Sequence, residues 1–163
     1  MAEFVCNTSP IQYLHQLGQL SVLRTLATAV FIPPTVVIEV GRGRALGIDL
    51  PDLAAVPWIT VRTPQTPIQR DWPTNIGLGE RDVLRLSLEI PGSVALIDDR
   101  IARRAAASLN IAFKGTIGLL IDAKQVGLIG QVRPLLDQLH TLGFRLALST
   151  RAAALRLAGE SVP

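Results

Sequence analysis

Residues 94 to 106, VALIDDRIARRAA, place an apolar run, two adjacent aspartates and an amphipathic arginine-bearing segment in one line. The apolar run at 94–97 predicts a buried strand that Asp98 and Asp99 end, while Ile101, Ala105 and Leu109 recur at helical spacing. A strand that feeds straight into a helix is the repeating unit of a parallel sheet. The same pattern appears toward both ends of the chain. EFVCN, residues 3–7, predicts a strand followed by Thr8-Ser9-Pro10, two capping hydroxyls and a proline suited to a first helical turn. Ile11, Leu14 and Leu17 then keep helical spacing, and a second short helix is expected around 20–27. Ala112-Phe113 predicts a further strand, with Lys114-Gly115-Thr116 turning into a helix at 117–126 that Thr116 caps.

Between these units the reading is less uniform. A strand at 30–32 meets Pro33 and Pro34, which can open a helix, although Val36, Val37 and Ile38 favour a strand by local propensity. GRGRALG, residues 41–47, lacks the lysine-hydroxyl ending of a phosphate-binding loop and is expected to be a turn. Residues 47–78 form a proline-rich excursion around a strand at 58–61, with Trp58 and Trp72 as packing residues. A helix should start near Glu80, and two more are expected at 134–142 and 149–157. The sum is an α/β fold: one domain over residues 1–163, a three-layer α/β/α sandwich with a small, mainly parallel sheet.

Composition narrows the function. With 48% apolar and 18% charged residues in 163, the surface is expected to keep an apolar patch, and a homodimer follows as an expectation. Sixteen Lys plus Arg against thirteen Asp plus Glu leave +3; Lys114 and Lys124 are the only lysines, and arginine suits forked contacts to phosphate oxygens. A single cysteine, Cys6, excludes an intrachain disulfide and a cysteine-built zinc site. No stretch approaches the ~20 apolar residues of a membrane span, and the N-terminus lacks a leader pattern, so a cytoplasmic location and no membrane association are expected. Aromatic residues at 4% argue against base-stacking platforms.

A parallel sheet gathers functional groups at the carboxyl ends of its strands. Asn7 ends the first strand, Glu39 follows the second, Glu80 opens a helix, and Asp98-Asp99 end the strand at 94–97. Each acid alone has an ordinary reading: Asp99 is a good N-cap, and Glu80 suits a helix N-terminus. Asp98 is different, because capping its own helix needs one carboxylate, and a second adds repulsion unless a cation or an arginine answers it. Arg103, four residues after Asp99, can answer weakly along the helix. Carboxylates without a histidine pair or thiolates suit hard cations, so Mg²⁺ or Mn²⁺ is implied as cofactor. His15 and His140 both fall within expected helices, and no nucleophile–base pair stands out.

VCNTSPIQYL, FIPPTVVIEV, GLGERDVLRL, VALIDDRIARRAA and FKGTIGLLIDAKQVGLI resemble, in that order, segments of the PIN-domain family of VapC-like ribonucleases, in the branch whose members begin with NTSP. The resemblance spans about residues 3 to 158. It implies a pocket of acids that binds one or two divalent ions, with Glu39, Glu80 and Asp99 as acids, Asp98 beside them, and Asn7 where the family's first aspartate stands. It further implies metal-assisted hydrolysis of RNA, and membership of a toxin–antitoxin pair with a small antitoxin protein as partner. Arg42, Arg44, Arg100, Arg103, Arg104 and Lys114 are the candidate RNA-backbone contacts. Thr8 and Ser9 can support the pocket through their hydroxyls, with capping as their chief expected task, and Thr116 can face it. Asn7 is the departure: an amide coordinates a hard cation but brings one charge fewer. The alternative reading is therefore a weak or inactive PIN fold that binds RNA or protein. A third is a nucleotide-binding regulator using the same strand ends.

Overall fold

A computed structural model describes residues 1–68 and 71–163. Five short strands form one sheet: β1 (Phe4–Cys6), β2 (Val30–Ile32), β3 (Ile59–Val61), β4 (Val94–Leu96) and β5 (Ala112–Lys114). Every pairing is parallel and the order is β3-β2-β1-β4-β5. The helices are α1 (Thr8–Gln16), α2 (Val22–Leu26), α3 (Pro34–Ala45), α4 (Leu78–Glu89), α5 (Arg100–Ser108), α6 (Thr116–Gln125), α7 (Arg133–Thr141) and α8 (Leu148–Leu157). The excursion after α3 carries a 3₁₀ turn, Leu53–Ala55, before β3; residues 69 and 70 within it lie outside the described residues. The expected three-layer α/β arrangement is the one found.

The strand order sets where a site can form. From β1 the chain moves outward through β2 to β3, then crosses back to lay β4 on the other side of β1 and moves outward again to β5. Right-handed crossovers running in opposite directions put their helices on opposite faces, and a crevice opens where the direction reverses. That place lies outside the carboxyl ends of β1 and β4, which is where Asn7 and Asp98 stand. Cys6 is level with Leu96, and Leu96 with Lys114, so these strand ends are in step across the sheet.

β1 is buried throughout, and Val5, Cys6, Leu84, Leu96, Leu119 and Leu120 are fully enclosed in one continuous core. Val36 to Ile38 are helical despite their β-branched side chains. Pro34 sits in the first turn of α3, and Val36, Val40 and Gly43 present one buried face at helical spacing, so burial outweighs local propensity. The turn expected at 41–47 is in fact mostly the last part of α3, which ends at Ala45; a Cβ at Gly43 would run into Leu50, so this glycine serves close packing. Trp72 is buried and Trp58 packs against the core, as expected. Among the described residues, no helix is long and apolar enough to cross a membrane.

Candidate functional site

Three consecutive side chains at the start of α1 reach three acids from three different parts of the fold. Asn7 Nδ2 donates to Glu80 Oε1 on α4 at 2.9 Å, the Thr8 hydroxyl donates to Glu39 on α3, and the Ser9 hydroxyl donates to Asp98 Oδ2 beyond β4 at 2.8 Å. Asn7 occupies the N-cap position of α1 without making a side-chain cap. The capping role expected for Thr8 and Ser9 is thus corrected: both lie inside the first turn, and their hydroxyls bind carboxylates of the pocket.

Glu39 is fixed from a second side. Its Oε1 accepts the Gly79 backbone N–H at 3.1 Å, so the start of α4 and the hydroxyl of α1 hold one carboxylate between them. Asn7 is 2% exposed, and its Oδ1 is buried with no hydrogen-bond partner. Both oxygens of Glu39 and Oδ1 of Asn7 lie within 2.9 Å of the point where a side chain on Gly79 would begin. The crevice therefore gathers three acceptor oxygens, of which the two of Glu39 each accept one hydrogen bond and Asn7 Oδ1 accepts none.

The two aspartates have separate tasks. Asp99 Oδ1 accepts the Ala102 N–H at 2.8 Å and caps α5, as expected. Asp98 caps as well, but on the next helix. Its Oδ1 accepts the Thr116 N–H at 2.8 Å, and its Oδ2 accepts the Thr116 hydroxyl at 2.7 Å together with Ser9. The expectation that capping leaves Asp98 unexplained is corrected, because the cap is on α6, across β5. Thr116 caps nothing itself: it is the first residue of α6, fully buried, and hands both donors to Asp98. Arg103 does not answer Asp99; its guanidinium lies 5.2 Å from the centre of the Phe113 ring.

Among the described residues, no three Asp, Glu, His or Cys side chains come together as a metal cage. What meets is Glu39 with the amide of Asn7, and Glu80 bonded behind that amide. This all-oxygen donor set suits a hard cation, with a lower charge than a cluster of carboxylates would bring. Of the basic residues singled out, Arg42, Arg100, Arg103 and Arg104 are exposed, Arg44 pairs with Asp52 at 3.4 Å, and the Lys114 ammonium is bound to Asp122. Cys6, behind Asn7, is no nucleophile: burial, with the Asp98 charge nearby, pushes its thiol far above the ordinary range. Sequence reasoning missed Gly79 as a donor to the pocket. The signal was its place immediately before Glu80, where a helix start exposes amide hydrogens.

A family model described as a PIN domain matches residues 3–160, nearly the whole chain. The chain belongs to the PIN-domain family. This PIN domain is also similar in fold to a PilT N-terminus domain protein from the hyperthermophilic archaeon Sulfolobus solfataricus P2. The TM-score is 0.55 and the identity 18%, over 74% of this chain and 92% of that one. No curated protein matches. The family has a nuclease-type fold, and PIN domains generally use divalent metal ions.

Proposed function

We propose that this PIN domain is a divalent-metal-dependent ribonuclease that hydrolyses RNA phosphodiester bonds with Mg²⁺ or Mn²⁺. The observation that carries the reading is the Asn7 amide oxygen, buried, without a partner, and gathered with the Glu39 carboxylate. A buried amide oxygen without a partner, set against a carboxylate, is unfavourable until a cation or a donor joins it. Asn7 and Glu39 are the residues that would hold the ion, with Glu80 behind the amide as a further oxygen donor; Asp99, expected from the sequence as an acid of the site, is engaged in capping α5. When bound, such an ion lowers the pKa of a water and stabilises charge on the phosphoryl and leaving oxygens.

The chain's own groups do the positioning. Thr8 and Gly79 orient Glu39, the Asn7 amide N–H orients Glu80, and Asp98 binds the starts of α1 and α6 to the end of β4. With three bonds already accepted, Asp98 acts in this reading as a positioning residue. Exposed Arg42, Arg100 and Arg104 supply contacts to the RNA backbone. A toxin role, with a small antitoxin as partner, rests on the family alone. Co-expression with the adjacent open reading frame tests it, because a true antitoxin co-purifies and suppresses cleavage.

A specific observation favours the second reading, an inactive RNA- or protein-binding module: one ligand is an amide, and no three-acid cage is present among the described residues. Purified protein incubated with single-stranded and structured RNA plus Mn²⁺ separates the two. The nuclease reading expects slow cleavage that Glu39→Ala abolishes and Asn7→Asp accelerates. No cleavage by wild type overturns it, and a gain of cleavage in Asn7→Asp would then mark a decayed site.

A further inference from the structure

Gly79 is the second residue of α4 and its φ is not in the left-handed region, so its backbone conformation does not call for glycine. Alanine is ordinarily the better helix former at such a place. What does call for glycine is space. A Cβ built on Gly79 would stand 2.6 and 2.8 Å from the two carboxylate oxygens of Glu39 and 2.9 Å from Asn7 Oδ1. No other atoms lie as close, so the obstacle is the functional end of two side chains and not the core. The same relation recurs nearby: a Cβ on Gly115 would stand 2.9 Å from Asp98 Oδ1, and one on Gly77 would collide with Glu80. Each acid that hydrogen-bonds to the Asn7-Thr8-Ser9 run thus sits against the bare α-carbon of a glycine.

We infer that Gly79 is a positioning residue, whose missing side chain and backbone N–H together hold the Glu39 carboxylate beside the Asn7 amide oxygen. A methyl group there pushes away flexible side-chain ends, which move cheaply, so the fold survives while the arrangement of oxygens does not. The consequence for metal binding rests on the function proposed above; the steric consequence does not.

The test uses the full chain with Gly79→Ala, Glu39→Ala and the double variant. Thermal melts in EDTA give the coupling between the two positions without any metal. Gly79→Ala should raise the melting temperature clearly more in the Glu39→Ala background, where the carboxylate no longer stands in the way, than in wild type. Mn²⁺ affinity is followed by water-proton relaxation, and Gly79→Ala should weaken it by about tenfold or more, as expected when a ligand's support is disturbed. Equal melting shifts in both backgrounds overturn the inference, as does unchanged Mn²⁺ affinity in Gly79→Ala. Wild type that binds no Mn²⁺ overturns the nuclease reading instead, and the EDTA melts still decide the role of Gly79.

Discussion

At residue 98 a carboxylate accepts three hydrogen bonds from two helices, while its neighbour at 99 accepts one from its own. The doublet was conspicuous in the sequence, yet the direction of its first member was not, because the partner, Thr116, lies 18 residues on and comes alongside only through the β4–β5 pairing. The difference should be measurable. Asp99→Ala removes one exposed cap and should cost about 1 kcal/mol. Asp98→Ala strands the Thr116 N–H and two hydroxyls, with Thr116 fully buried and unable to find water, and should cost about 3 kcal/mol. Urea denaturation of both variants checks the order; equal costs would remove the bracket from the account. Asn7, Glu39 and Glu80 were legible as a converging set because strand ends in a parallel sheet converge. The Thr8 and Ser9 hydroxyls were legible as support for the pocket but ranked behind capping, which competes for the same residue types, and the Gly79 amide was not legible at all.

At the level of elements, the clearest case of a tie invisible in sequence is the C-terminal one. Glu160, after α8, accepts Lys124 at 2.8 Å and the N–H groups of Val132 and Arg133, which open α7. Burial alone would raise its pKa, but the Lys124 ammonium and these donors outweigh it and hold the carboxyl at about 2, below the usual 4.5. A depressed carboxylate contributes stability that is present above its unfolded pKa and is lost as pH falls through the folded value. The contribution should be on the order of 2 kcal/mol at neutral pH and should disappear between about pH 4.5 and pH 2. Glu160→Gln should therefore lower stability at pH 7 and flatten the acid limb of the stability profile followed by chemical denaturation. A parallel profile for the variant would show that the tie contributes nothing. Helix α3 teaches the converse lesson. Its proline opening was readable, and its β-branched middle was decided by burial of Val36 and Val40, which local propensity does not report.

For the molecule as a whole, the strand-then-helix pattern sufficed for the α/β class, because alternating elements admit few topologies. The 3-2-1-4-5 order was not readable from residues alone, and it is the order that brings residues 7 and 98 together. The core should respond as one body. Leu84 on α4 is fully enclosed, and that helix packs on both β1 and β4. Leu84→Ala should cost about 2–5 kcal/mol in a single unfolding transition seen alike by circular dichroism and tryptophan fluorescence; separate transitions would divide the molecule into independent units. The Asn7-Thr8-Ser9 run has one more consequence, for the growing polypeptide on the ribosome. Its three bonds span 31, 73 and 89 residues, and the Asp98 bracket waits for Thr116. A nascent chain that has not yet reached Thr116 holds no assembled pocket, and fragments from translation stalled before that residue carry none.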